Sequence, residues 1–284
     1  MHKYVPLFSL LLLPLLGLAG CGSSDPPSDD DDNGGGSDNS PLEIAFAGGA
    51  AGEEARFSPS GDTIAFIQSS IMGDESDLSV MDAAGNNRKI LAPAGTYLAA
   101  PAWTPDGSQI YFSADGGISL ISAEGGAASM VVMDFAAMDP DVSPDGKSIV
   151  YSINGGSMKL VDLANPATPK DLGQSGTSPR FSPDGQSIAF ESGEKINQMT
   201  LSTGQVTEIL DAGTYLASVD WFPDGQRLAI TSDKGIEIVT LGASPSRTLV
   251  RDEFAAKNVD LSADGKAILY GINGSTNIFL LEGF

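Results

Sequence analysis

The 284-residue chain holds one cysteine and one histidine. A single thiol forms no intrachain disulfide. The histidine is His2, inside what reads as an export signal, so the mature chain is expected to contain none. That excludes Ser-His-Asp and Cys-His catalysis, and histidine-ligated zinc, iron, copper or manganese. Basic residues are scarce too: 15 Lys+Arg stand against 37 Asp+Glu, a net charge of −22. Nucleic acid and anionic lipid bind through basic surface, so neither is expected as a direct partner. There is no P-loop, no Gly-x-Gly-x-x-Gly in strand–turn–helix context, and no useful length of apolar stripe at helical spacing. No cofactor, no metal and no enzymatic activity are expected.

Residues 1–20 have the anatomy of a signal peptide. His2 and Lys3 make a short basic start, and Val5–Leu18 is an apolar run of about 14 residues, shorter than the roughly 20 a bilayer span needs. The run ends Leu18-Ala19-Gly20-Cys21, which resembles the lipobox of a bacterial lipoprotein. Small residues admit the peptidase, and the Cys21 thiol takes the lipid. Residues 22–41 are almost all Gly, Ser, Asp, Asn and Pro, with Asp25, Asp29, Asp30, Asp31 and Asp32 close together. Such a segment cannot bury apolar area and repels itself, so 21–41 is expected to be the lipidated Cys21 and a disordered acidic tether. By analogy with lipoprotein sorting, Gly22 rather than Asp after the cysteine implies the outer membrane, with the periplasmic side as the default expectation. The acidic tether also resembles those of lipoproteins displayed on the cell surface. The membrane is then reached only through the lipid on Cys21.

From residue 42 one pattern recurs. It reads Arg56-Phe-Ser-Pro-Ser-Gly61, Ala102-Trp-Thr-Pro-Asp-Gly107, Asp141-Val-Ser-Pro-Asp-Gly146, Arg180-Phe-Ser-Pro-Asp-Gly185, Asp220-Trp-Phe-Pro-Asp-Gly225 and Asp260-Leu-Ser-Ala-Asp-Gly265. The glycines are 46, 39, 39, 40 and 40 residues apart. Proline presets φ at the first turn position, Asp suits the second, and Gly supplies the positive φ that closes the turn. Each turn is followed by a β-type triplet, such as Ile64-Ala-Phe66 or Ile188-Ala-Phe190, and then by alternating runs such as Leu78/Val80 and Ile236/Ile238. Periods of 40–45 residues with four strands each are the signature of a propeller. The expected fold is all-β, a six-bladed β-propeller of four-stranded antiparallel blades spanning 42–284.

These repeats resemble the Pro-Asp-Gly propeller repeats of the TolB-like family over the whole of 42–284. The family's namesake carries a further α/β domain before its propeller and is not lipid-anchored. No stretch of this chain has room for that domain, so the resemblance implies the propeller and not the namesake's role.

The sixth repeat stops after its third strand, and Leu42-Glu-Ile-Ala-Phe-Ala47 precedes the first inner strand with nothing else to pair. It is therefore expected to be the fourth strand of blade six. The repeats also pair at long range: Gly95-Thr-Tyr-Leu-Ala99 with Gly213-Thr-Tyr-Leu-Ala217, and Phe135-Ala-Ala with Phe254-Ala-Ala. Blades one to three thus match blades four to six, a pseudo-twofold ring.

Two sets of residues stand out. In the column before the blade aromatic, Arg56 of blade one falls beside Asp260 of blade six, and Asp141 of blade three beside Arg180 of blade four. Two inter-blade ion pairs near the channel are expected. The carboxylates Asp139, Asp141, Asp220 and Asp260 also carry the competing reading of a glycosidase pair. Trp103, Trp221, Phe57 and Phe181, in the next column, are expected to pack between blades. The second set lies on the face that holds the outer-to-inner connections: Tyr97, Phe135, Tyr215 and Phe254, with the long loop Ser69–Asp77. Asp139, Glu53, Glu54, Asp134 and Glu253 are expected to give that face an acidic rim. Aromatic anchors inside such a rim suit a protein or peptide partner with a basic segment. The alternative in which the rings fold inward and plug the channel remains open at this level.

The residues therefore point to a monomeric, lipid-anchored binding module of the cell envelope. A glycan-binding or glycan-cleaving propeller, in which Tyr97 and Tyr215 stack sugars, is the alternative, and a purely structural envelope protein is a third.

Overall fold

The computed structural model describes residues 40–46, 50–70, 76–95, 98–153, 156–214 and 216–284. Cys21 with its signal, residues 22–39 of the tether, Tyr97, Tyr215 and residues 71–75 of the long loop lie outside the described residues.

Each turn forms as its residues dictate. The closing glycine N–H donates to the carbonyl three residues back, from Gly61 to Ser58 at 2.9 Å through Gly265 to Ser262 at 2.8 Å. All six closing glycines have φ between 64° and 79°, where a side chain is strained. In blades two, three, four and six the Ser or Thr that opens the turn also donates its hydroxyl to the turn aspartate, as from Ser182 Oγ to Asp184 at 2.6 Å.

Strand β1 (Leu42–Ile44) comes first. Blade one is β2 (Ala50–Phe57), β3 (Thr63–Ser70), β4 (Ser76–Asp82) and β5 (Lys89–Gly95). Blade two is β6 (Leu98–Trp103), β7 (Gln109–Ala114), β8 (Gly117–Ser122) and β9 (Ser129–Met133). Blade three is β10 (Ala137–Val142), β11 (Ser148–Ile153), β12 (Ser157–Asp162) and β13 (Lys170–Ser175). Blade four is β14 (Thr177–Phe181), β15 (Ser187–Ser192), β16 (Lys195–Thr200) and β17 (Val206–Asp211). Blade five is β18 (Leu216–Trp221), β19 (Arg227–Ser232), β20 (Gly235–Thr240) and β21 (Ser246–Arg251). Blade six is β22 (Ala256–Leu261), β23 (Ala267–Ile272) and β24 (Ile278–Glu282), with β1 as its outer strand. Every neighbouring pair is antiparallel, and the first strands of the six blades pack on one another around the axis. The fold is a six-bladed β-propeller.

The core lies between blades rather than within them. Ile64, Ile110, Ile149, Ile188, Leu228 and Ile268, the first large apolar residues of the second strands, are all fully buried. Each such burial stabilises by about 1.5–3 kcal/mol.

The ring closes as the count of strands requires. Leu42, Glu43 and Ile44 pair with Leu280, Phe279 and Ile278. Phe46 follows into the core, its ring 5.2 Å from that of Phe66. The Arg88 guanidinium lies 4.0 Å from the Phe46 ring centroid and donates to Ala45 O at 2.7 Å. The turns also meet in sequence around the opposite face. A Cβ placed on Gly107, Gly146, Gly185, Gly225 or Gly265 would sit 3.0–4.0 Å from the proline of the preceding blade's turn. At the closing seam that proline is Ala263, and a Cβ on Gly61 would meet nothing within 4 Å.

Candidate functional site

The inner strands bulge near their start, and the bulge sets the channel chemistry. The ladder between first and second strand slips in every blade. In five of them the slip places a non-glycine residue in the left-handed region: Glu54 at φ 50°, Ala100 at 47°, Asp139 at 50°, Ser178 at 49° and Asn258 at 55°. Bulges re-aim side chains, and two of these positions carry carboxylates.

Two tiers of charge result. The upper tier holds Glu54, Asp139 and Glu191. The Asp139 carboxylate accepts from Ser152 Oγ at 3.1 Å. Glu54 accepts from the Ala100 N–H across the blade interface. Burial raises the Glu54 pKa, with Asp139 and Glu53 adding to it. Glu191 is 6 % exposed, and its Oε1 has no hydrogen-bond partner. Burial, reinforced by Asp139, pushes its pKa up to about 8. Glu191 was absent from the sequence-derived candidates. Its column in the second strands reads Ile67, Ser113, Ser152, Glu191, Thr231 and Gly271, and the single carboxylate there was the available signal.

The lower tier holds Arg56, Asp141, Asp220 and Asp260. Arg56 Nη1 is 3.0 Å from Asp260 Oδ1 and also donates to Val259 O at 3.3 Å. Burial works against the Arg56 charge, but Asp260, Asp220 and Asp141 outweigh it and raise its pKa. Burial pushes Asp141 up to about 7 and raises Asp220 and Asp260 as well.

Arg180 and Asp141 do not form the second ion pair expected from the sequence. Arg180 turns back on its own strand, Nη1 donating to Pro179 O at 2.9 Å, and its buried Nε has no partner. The aspartates instead staple blades through backbone amides. Asp260 Oδ2 accepts from Phe57 N at 2.7 Å, Asp141 Oδ2 from Phe181 N at 2.7 Å, and Asp220 Oδ2 from Leu261 N at 2.8 Å. At two further interfaces the indoles of Trp103 and Trp221 donate to the carbonyls of Arg56 and Arg180, each at 3.2 Å. Each aspartate bond of this kind spares a buried backbone N–H the cost of going without an acceptor.

On the loop face the aromatics do not plug the channel where they are described. Phe135, between β9 and β10, is 87 % exposed, and Phe254, between β21 and β22, is 75 % exposed. Phe135 lines a cleft of about 660 Å³ with Ala114, Asp115, Gly116, Ala137 and Met138. The acidic rim is partly neutralised within the fold. Asp134 takes Lys159 at 2.7 Å and the Tyr151 hydroxyl at 3.2 Å. Burial raises its pKa, but those partners outweigh it and the net shift is downward. Glu253 lies 3.8 Å from Arg251, and Glu53 4.0 Å from Lys257. Among the described residues no three His, Cys, Asp or Glu side chains are grouped to hold a metal ion.

No family model and no curated protein matches the chain. Solved structures do. TolB from Acinetobacter baumannii superposes with a TM-score of 0.58 at 18 % identity, over 82 % of this chain and 63 % of that one. The chain thus spans under two thirds of that protein's length. The Kuenenia stuttgartiensis hydrazine synthase gives 0.59 at 17 % identity, over 80 % and 75 % of the two chains. A chain of a mitotic checkpoint complex gives 0.62 at 15 % identity, over 94 % and 100 %. At these identities the likenesses show the fold, which is that of a TolB-like β-propeller.

Proposed function

We propose that the protein is a non-enzymatic binding module of the bacterial envelope, tethered by lipid on Cys21, whose loop face docks a protein or peptide carrying a basic segment. The observation that carries this is the exposed pair Phe135 and Phe254, 119 residues apart and pseudo-twofold related, on a ring whose Glu54, Asp139 and Glu191 form no ion pair among the described residues. Exposed rings of that size are anchors in search of a pocket. TolB and the checkpoint-complex chain share the fold, and a propeller in an assembly of proteins fits the same use. Asp141, Asp220 and Asp260, three of the carboxylates a glycosidase would draw on, are occupied holding blade to blade, which favours binding over cleavage.

Crosslinking in the native envelope tests the reading. Phe135→Ala with Phe254→Ala should abolish capture of the crosslinked partner at an unchanged melting temperature. Capture that survives the double variant overturns the loop-face assignment. Cys21→Ala should release the folded protein from the membrane fraction; retention there overturns the lipid anchor.

A further inference from the structure

The six outer strands differ in one respect that the loop face does not explain. An outermost strand carries a row of backbone N–H and C=O groups with no ladder partner, and proteins protect such edges with charge. Strand β1 carries Glu43, β5 Lys89, β13 Lys170 and Asp171, β17 Glu208 and Asp211, and β21 Arg247 and Arg251. Strand β9 reads Ser129-Met-Val-Val-Met133 and carries none. Strands β5, β9, β13, β17 and β21 all have a bulge against their inner neighbour, so the bulge does not set β9 apart.

The side chains of β9 point the same way. Met130 is 44 % and Met133 78 % exposed, and Phe135 two residues on is 87 % exposed. A Cβ on Gly116 would lie 3.0 Å from the Met130 methyl and 3.8 Å from the Phe135 ring, so Met130 of the strand edge and the aromatic meet over Gly116 in one apolar surface. The pseudo-twofold counterpart shows how such an edge is otherwise kept closed. In β21, Leu249 replaces Met130 but stands between Arg247 and Arg251, and Asp252 replaces Met133.

We infer that β9 is a docking edge that adds an extended strand from a basic partner segment, antiparallel or parallel to it, as a fifth strand of blade two. Main-chain hydrogen bonds supply affinity in that mode, and alternate side chains supply specificity. The charges choose the occupant. A second copy of this chain would bring a further net −22, whereas the edge ends near exposed acids: Asp115 in the turn after β7, and Glu124 in the turn after β8, whose side chain is 93 % exposed and lies 3.8 Å from Lys89 of blade one. A segment with apolar residues at alternate positions and Lys or Arg at both ends matches edge and flanks together.

The probe is a synthetic peptide, Lys-Val-Thr-Val-Thr-Val-Lys, titrated into the full chain, with hydrogen exchange of the β9 amides as readout. The expected result is saturable binding with at least about tenfold slower exchange at Met130 and Val132. N-methylation of alternate peptide amides should abolish it in one phase, and glutamate in place of both lysines should weaken it at least about tenfold. Met130→Lys should weaken binding by a similar factor, and Leu249→Lys should leave it unchanged. Absence of saturable binding overturns the inference. So does equal binding of the N-methylated peptides, or equal loss in the Leu249→Lys variant. Sedimentation of the chain alone covers the other occupant: a dimer dispersed by Met130→Lys would assign the edge to a second copy and overturn the basic partner. Phe135 borders both surfaces, so the single variant Phe254→Ala reports on the loop face and Met130→Lys on the edge, and each reading fails on its own.

Discussion

Asp141 Oδ2 accepts the backbone N–H of Phe181 at 2.7 Å, while Arg180, one residue before that amide, directs its Nη1 to Pro179 O. The carboxylate is therefore a hydrogen-bond staple and not half of an ion pair. Two substitutions separate those roles. Asp141→Asn keeps an acceptor oxygen and removes a buried charge, so melting at neutral pH should be unchanged or raised. Asp141→Ala leaves the Phe181 N–H buried without a partner, at a cost of about 1–3 kcal/mol. Arg180→Met should leave the staple intact. A thermal melt in which Asn and Ala at 141 lose equally would refute the staple.

The seam between blades six and one lacks the proline that each other turn lays against the next. The Ala263 backbone occupies the same turn position, with Gly265 N donating to Ser262 O at 2.8 Å. Proline's φ fits there. Ala263→Pro should stabilise by about 0.4–1 kcal/mol, chiefly by restricting the unfolded chain. The same change fills space beside Gly61. Differential scanning calorimetry should show a small rise in Tm; a fall would mean the seam turn is built differently.

Phe46 ties the closing strand to blade one through Phe66 and Arg88. It is 9 % exposed, and truncating a buried phenylalanine costs about 3–5 kcal/mol. Phe46→Ala should lower Tm markedly, whereas deleting residues 22–39 should leave it within a degree or so. Equal losses from the two changes would contradict closure through β1.

The ring, its closure and its pseudo-symmetry could be read from the sequence because they rest on local chemistry. Pro-Asp-Gly turns are set by φ alone, and a missing fourth strand follows from counting. The channel was less legible. Placing Arg180 near Asp141 needed only the repeat register, which is correct, but pairing them needed a rotamer, and the neighbouring Pro179 carbonyl takes the guanidinium. The bulges at Glu54, Ala100, Asp139, Ser178 and Asn258 leave no glycine signature, so the sequence hid which residues turn toward the axis. Likewise Lys159 is a strand residue with no sequence mark that it neutralises Asp134 25 residues away.

The buried carboxylates make stability depend on pH in a direction that can be worked out. A carboxyl whose folded pKa exceeds its unfolded value holds its proton more tightly in the native state. Its contribution favours folding at low pH and is lost as pH rises from about 4 through the folded value. Asp141, pushed up to about 7, and Glu191, to about 8, belong to this class, with Glu54, Asp220 and Asp260 also raised. The turn aspartates act oppositely: Asp106 and Asp264, lowered to about 2 by their hydroxyl and amide partners, lose their contribution only as pH falls below about 4. Melting temperature should therefore rise between pH 8 and pH 5, by about 5 °C or more given about 2–4 °C per kcal/mol for a domain of this size, and fall again below about pH 4. In the Asp141→Asn, Glu191→Gln double variant the limb between pH 5 and 8 should flatten. A wild-type Tm that climbs steadily from pH 5 to 8 would show that the channel carboxylates ionise without penalty. Ionisation of Glu54 and Glu191 strengthens their attraction for a basic segment. Binding of a lysine-bearing partner peptide should consequently tighten over the pH range in which the fold loosens, and isothermal titration at pH 5.5 and pH 8 reads that opposition directly.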